Sequence, residues 1–448
     1  MYREIVTSLL RWKESSGRKP LILKGVRQCG KTWILKEFCK NSFEDTAYFN
    51  FEGNTRLQEI FERDFDIERI IRELGDLRHT PVDTGKTAVI FDEIQFCPKA
   101  ITSLKYFCET KPELAVLCAG SLLGVALAHP LSFPVGKVDF LTLHPMNFRE
   151  FLLANGQQYL ADHLAKSSSA EDLSPVLFDE YKDWYKDYLT VGGMPEAVLV
   201  WSKTRDLSQT DAVIDNILQG FELDFAKHAP ASEYPKISAV WHEIPNQLAK
   251  ENRKFTYSQV MSGGRSRLLR DAVEWLVSSG LIYRVFKIEQ PAIPLSVSAD
   301  ESSFKIYLCD CGLLRKMSGF PPEAFVSKRK EVGLMRGAFA ENFILSELQS
   351  SGVDCGHYWK SSNDAEVEFV ITHGMSVIPV EVKAGERTMG KSLFVYREKF
   401  HPDFAVRFSL KKGGKVTDER GMLLSVPLFA GSVLQKFIST AEKTAKER

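Results

Sequence analysis

The stretch LILKGVRQCGKT, Leu21 to Thr32, constrains this chain more than any other. It sets Gly25, Gly30, Lys31 and Thr32 at the spacing GxxxxGK[ST], after an apolar strand-like run and before a helix-like one, TWILKEFCK. The chemistry needs each residue type. Glycines let the backbone from Gly25 through Val26, Arg27, Gln28, Cys29 and Gly30 curl, so that its N–H groups and the helix N-terminus face phosphates. The Lys31 ammonium neutralises the β- and γ-phosphates, and the Thr32 hydroxyl can ligate Mg²⁺. At average residue frequencies the bare pattern arises by accident in on the order of one chain in a hundred. The flanking strand and helix lower those odds. ATP with Mg²⁺ is the expected ligand.

A second element agrees. TAVIFDEIQ is an apolar strand that ends in Asp92 and Glu93, about 60 residues after the loop. At such a strand end an Asp supports the Mg²⁺ shell and a Glu polarises the attacking water as general base. By itself the pair also reads as the acidic start of a helix. A third strand ends at Gly120-Ser121, where Ser121 reads either as a γ-phosphate neighbour or as a helix N-cap.

The rhythm around these motifs is α/β. Strand-like runs at 21–24, 47–51, 87–91, 114–120 and 137–143 alternate with amphipathic helices, which predicts a mostly parallel sheet covered on both faces. From about Met146 to Lys227 helical patterns take over, broken by a loop at 165–175. Then come helices at 235–249, 257–261 and 266–279 and strands at 281–288 and 304–310, the element order of a winged helix. A last α+β block starts at Gly337.

Formal net charge is zero, so nucleic-acid binding would need a local patch. The basic segment with Lys250, Arg253, Lys254, Arg265, Arg267 and Arg270 is the candidate for DNA, and a solvated helix face is the other reading. The eight cysteines form no CxxC pair, which argues against zinc and for reduced core thiols in a cytoplasmic protein. The N-terminus lacks an apolar signal core, and the apolar run 114–128 is too short to span a bilayer.

IPVEVKAG, near the C-terminus, puts Glu381 and Lys383 two apart on a strand, hence on one face. They are either a solvated pair or half of a metal-dependent site. Ahead of them lie AENFILSEL, an amphipathic helix with Glu341 near its start, and AEVEFVI, read as one strand with Glu366 and Glu368 on one face. A turn at His373-Gly374 returns the chain to the Glu381 strand.

With these motifs in view the chain resembles the AAA+ ATPases of bacteria and archaea that carry a C-terminal domain of unknown function. The resemblance includes LHPMNFREFL, VGGMPEAV, FTYSQV, CDCGLL and GAFAENFILSEL, and so runs far beyond the phosphate loop. It implies an AAA+ core over 1–150, a helical lid over 151–230, a winged-helix-like segment over 231–330 and a domain similar to PD-(D/E)XK nucleases over 331–448. It implies an ATP hydrolase controlling a nucleic-acid-processing or partner-binding module. The alternatives are a nucleotide-gated protein adaptor and an ATP-regulated, metal-dependent DNA nuclease. Protein partners or a homo-oligomer are expected, and no membrane. The matching nuclease set is Glu341, Glu368, Glu381 and Lys383, with Asp364 a substitute for Glu368. There are departures. Glu368 stands where Asp is usual, and Lys137 stands where Arg often follows the Gly of PVGKVDF. Arg27 and Arg149 are the arginines left to serve as a finger, and structural roles suit both better. Gly192-Gly193 reads as a lid hinge, a phosphate-facing turn or a tight loop.

Overall fold

The protein is described from a computed structural model, which covers residues 1–120, 133–261, 264–327, 329–362, 365–386 and 390–446. Ser121 and Asp364 lie outside the described residues. The chain divides into two compact units, one of Tyr2–His144 with Ser278–Gly280, the other of Pro145–Val277 with Leu281–Arg448 and Met1.

The first unit holds five parallel strands: β1 (Leu21–Lys24), β2 (Asp45–Asn50), β3 (Thr87–Asp92), β4 (Ala115–Ala119) and β5 (Asp139–Thr142). Their spatial order is β2-β3-β4-β1-β5. Every residue of β3 and β4 is buried, as continuous apolar strands covered on both faces must be, while β5 at the edge alternates between half-buried and exposed. The core on one face is dominated by phenylalanine. Phe91 meets Phe51, Phe61 and Phe107 edge-on at 5.6, 5.5 and 6.0 Å between ring centres. Phe91 immediately precedes Asp92, so this packing fixes the C-terminal end of β3.

The second unit begins with helices Phe148–Ala154, Gln158–Lys166, Phe178–Val191, Pro195–Thr204 and Leu207–His228. Helices Tyr234–Leu248, Tyr257–Val260 and Ser266–Ser278 follow, then β6 (Ile282–Ile288) and β7 (Ala299–Leu308), an antiparallel pair. That order matches the sequence expectation. The hairpin does not stand alone, however. β6 also pairs in parallel with β8 (His357–Lys360), which pairs with β9 (Glu366–Val367), so one four-stranded sheet crosses residue 330. A second sheet has the order β10-β11-β12-β14-β13, with β10 (Phe369–His373), β11 (Ser376–Val382), β12 (Phe404–Ser409), β13 (Gly414–Asp418) and β14 (Gly421–Pro427).

Two expectations need correction here. AEVEFVI is not one strand. It breaks at Glu368: Glu366 and Val367 join the sheet of β8, while Phe369 onward pairs with β11. The helix bearing Glu341 starts at Gly333, not beside Ala340, so Glu341 lies mid-helix.

Three motifs close on one another inside this unit. Gly192, at φ 78°, and Gly193 pack so tightly that an added Cβ would lie 2.2 Å from the Asp310 carboxylate and 2.1 Å from the Met146 carbonyl. Asp310 accepts from Gly193 N–H at 2.5 Å and caps the helix Cys311–Ser318 through Leu313 N–H at 2.9 Å. Burial raises its carboxyl to about 6, against those hydrogen bonds. Nearby, Asn147 and Glu150 form a capping box, and Glu347 accepts Phe148 N–H at 2.8 Å. VGGMP, CDCGLL and the PMNF part of LHPMNF are thus a packing junction. The Gly192-Gly193 turn is filled by protein atoms and is not a phosphate-facing loop.

Candidate functional site

In the first unit, β1 leads into the loop and the loop into the helix Lys31–Ser42. Gly25 has φ 148°, and a Cβ there would fall 2.2 Å from the Leu143 carbonyl, so only glycine fits beside the exit of β5. Gln28 (φ 63°) and Gly30 (φ 93°) are both left-handed, which turns the loop back on itself. The N-cap of the helix is Gly30, which has no side chain to occupy its N-terminus, the end of a helix that favours an anion. Lys31 is buried, and its ammonium donates to the carbonyls of Gly25 and Val26 at 2.8 and 2.9 Å. It therefore sits inside the loop that phosphates would occupy.

Asp92 closes the site from β3. Its Oδ2 accepts the Thr32 hydroxyl at 2.8 Å and the Tyr48 phenol at 2.8 Å, and its Oδ1 accepts the backbone N–H of Glu93 at 3.1 Å. All three donors are neutral, so none of them brings a positive charge to the carboxylate. Burial and the Asp92 carboxylate hold the phenol of Tyr48 well above its usual range, keeping it a donor. The Lys36 ammonium lies 3.4 Å from the centre of the Tyr48 ring. Glu93 itself is left-handed (φ 50°, ψ 42°), a conformation costly for a non-glycine residue and concentrated at functional sites. Gln95 donates to the Glu93 carboxylate at 2.5 Å. A Thr32 hydroxyl already pointed at an anionic Asp92 suits Mg²⁺, because the oxygen lone pairs remain free to ligate.

Lys137 is ion-paired on the surface with Glu109 at 2.9 Å. In the second unit, Arg149 donates to the Ala161 carbonyl at 3.2 Å and lies 3.9 Å from Asp162. Neither behaves as a free phosphate-binding cation. Tyr48 and Gln95 were not anticipated. Gln95 could have been found from its spacing two residues after Glu93; Tyr48 had no local signal.

The C-terminal candidates also meet, but differently. Glu368 sits at the break between β9 and β10, where its Oε2 accepts Val382 N–H at 3.0 Å and its Oε1 lies 3.8 Å from the Lys383 ammonium. Glu381 is fully buried; Arg407 on β12 donates to its Oε2 at 2.7 Å, while the Lys383 ammonium is ion-paired with Oε1 at 3.3 Å without a hydrogen bond to it. Glu341 is bound by Arg253 and by the Tyr307 phenol at 2.7 Å. Beside them Glu366 is held by Lys305 at 2.5 Å and Lys360 at 3.5 Å. Burial pushes Glu368 up to about 7, with Lys383 pulling it down and Glu341 and Glu381 pushing it further up. Burial pulls Lys383 down, but Glu368 and Glu381 outweigh it and raise its pKa.

Arg253 therefore leaves the set of candidate DNA contacts, since its guanidinium points inward to Glu341. Lys250 is held by Gln259 and lies 3.9 Å from Glu243, and Arg270 lies 3.8 Å from Glu301. Lys254, Arg265 and Arg267 are exposed.

Comparison with known proteins agrees with the first unit. Residues 17–152 match the model of an AAA domain. Residues 182–324 and 336–429 match two domains of unknown function, DUF8612 and DUF4143. No curated protein matches the chain. Among solved structures, a Walker-type ATPase of Pyrococcus abyssi aligns at 15% identity and TM-score 0.45, over 70% of this chain and 95% of its own. The Aeropyrum pernix Orc1 protein in complex with DNA aligns at 12% and 0.31, over 73% and 95%. Drosophila ORC bound to DNA aligns at 14% and 0.26, over 70% and 94%. At these TM-scores the alignments carry no functional argument. The residues that match the AAA domain model, 17–152, thus include the phosphate loop and the β3 acids, a P-loop arrangement associated with nucleotide binding. No described helix is long and apolar enough to cross a membrane.

Proposed function

We propose that this chain is an ATP hydrolase whose nucleotide state controls the rest of the protein as a partner-binding module. The observation that carries the reading is the Thr32–Asp92 hydrogen bond at 2.8 Å, with the left-handed Glu93 next in the chain. Thr32 and Asp92 are the residues that would hold Mg²⁺, which when bound neutralises charge on the phosphates. Lys31 exchanges the loop carbonyls for phosphate oxygens. Glu93, steadied by Gln95, orients water and takes its proton. Lys31→Ala should abolish nucleotide binding, and Glu93→Gln should bind ATP without turning it over. Equal hydrolysis by wild type and Glu93→Gln overturns this mechanism.

The partner reading is supported by the helix Ser266–Ser278 and its entry, where Arg265 and Arg267 are exposed. With the hairpin β6–β7 after it, this segment is read as winged-helix-like and facing DNA. Affinity for duplex or single strands should fall with salt and with Arg265→Ala/Arg267→Ala. No binding at low salt favours a protein-only adaptor. The 331–448 region is read as a nuclease-like fold serving as a binding scaffold, and the protein as cytoplasmic.

A further inference from the structure

A live metal-dependent site needs carboxylate oxygens with charge to spare. Mg²⁺ demands near-octahedral oxygen ligands at about 2.0–2.1 Å. The C-terminal acids do not meet that need. Glu341, Glu366, Glu368 and Glu381 are faced by Arg253, Lys305, Lys360, Lys383 and Arg407. Four carboxylates against five cations leave the cluster positive before any metal arrives. Among the described residues no group of three or more His, Cys, Asp and Glu side chains is arranged to hold a metal ion.

The cations are built in. Arg253 arises in the turn between the helices Tyr234–Leu248 and Tyr257–Val260. Its Nε donates to the Leu248 carbonyl at 3.1 Å and its Nη2 to the Leu334 carbonyl at 3.1 Å, while Nη1 takes Glu341. Gly337 makes the passage: a Cβ there would lie 2.8 Å from Nη2. Glu381 is enclosed likewise, since a Cβ at Gly390 would lie 2.5 Å from its Oε1. A divalent ion would have to displace Arg253 from Glu341 and Arg407 from Glu381, leaving partly buried guanidinium groups without their counter-charge.

We infer that this acid set is a charge tie that fastens the Arg253 turn to the strand ends around Glu381, and that it binds no divalent cation. The tie gathers the Arg253 turn, β7 through Lys305 and Tyr307, the Glu341 helix, β8, β9, β11 and β12 at one buried point. The nuclease-like acids have thereby become the joint between the segment carrying Arg265 and Arg267 and the C-terminal sheets. The inference does not depend on ATP hydrolysis, because its test uses no nucleotide.

The experiment is Mn²⁺ binding, followed by electron paramagnetic resonance, to nucleotide-free full-length Thr32→Ala protein, in which the phosphate-loop hydroxyl is gone. The expected result is no saturable binding. Saturable binding that is lost on adding Glu381→Gln or Glu341→Gln overturns the proposal. A second arm reads the tie directly. Arg253→Met should lower Tm by several degrees through an unpaired Glu341, and Arg253→Met/Glu341→Met should regain at least half of that loss. A double variant no more stable than the single one also overturns it.

Discussion

The chain carries a buried Asp92 in one unit and a largely buried cluster of glutamates in the other, and they are held in opposite ways. Asp92 is positioned by a threonine hydroxyl, a phenol and a backbone N–H. These donors fix its geometry and leave its charge uncancelled, as a residue must be if it is to serve a metal-bound phosphate. Glu341, Glu366 and Glu381 are positioned by arginines and lysines. Those partners fix geometry and cancel charge together. Acid identity and spacing differ in the two places, an adjacent Asp-Glu pair against four dispersed glutamates, but it is the partner type that decides which set has electrostatic work left to do.

The sharpest way to break this contrast is at Glu93. Glu93→Gln keeps the shape and removes the proposed base, so turnover should fall by about 10²–10⁴-fold while ATP affinity stays near wild type. Steady-state hydrolysis beside equilibrium nucleotide binding checks both halves. On the C-terminal side, Arg253→Met strands Glu341 and should cost about 3–5 kcal/mol of stability by denaturant unfolding. A loss below about 1 kcal/mol would mean that the pair is a solvated one, and the contrast between the two sites would collapse.

Glu368 tests the same contrast through pH. Its folded carboxyl is raised to about 7, from an ordinary value of 4.5, chiefly by burial. A raised carboxyl stabilises the fold fully below the ordinary value, and that contribution drains away as pH climbs through 7. Wild type should therefore lose stability relative to Glu368→Gln between pH 5 and pH 8, by roughly 1–3 kcal/mol. Parallel melting curves of the two proteins across that range would show Glu368 ionised at no cost, and this account wrong.

Much of the first site was legible because it is local in sequence. The phosphate loop and the β3 acids are contiguous motifs, and the strand runs recur in register with the observed parallel sheet. The second site was legible only as a list. Period-two alternation made AEVEF one strand, yet pairing to β8 on one side and β11 on the other splits it at Glu368. The block read as starting at Gly337 and the helix read over AENFILSEL both lie inside one helix from Gly333; Gly337 is interior there, beside the passing Arg253 guanidinium. Arg253 looked like a surface cation because nothing near it in sequence shows that it meets Glu341, 88 residues on.

The subtlest expected effect concerns Tyr48, whose alternation on β2 gave no hint of function. Its phenol shares Asp92 Oδ2 with Thr32, so removing it leaves the carboxylate one donor short on that oxygen. Tyr48→Phe keeps the ring under Lys36 and deletes only the hydroxyl. A neutral hydrogen bond of this kind contributes about 0.5–1.5 kcal/mol, so the Mg²⁺ concentration for half-maximal hydrolysis should shift by roughly 2- to 10-fold, with ATP affinity in the absence of Mg²⁺ unchanged. A change in metal-free ATP affinity instead would make Tyr48 a support of the loop. If neither quantity moves, Thr32 and the Glu93 N–H suffice to hold Asp92. In that case neutral positioning at the first site needs one hydroxyl, where the second site uses a cation for every acid.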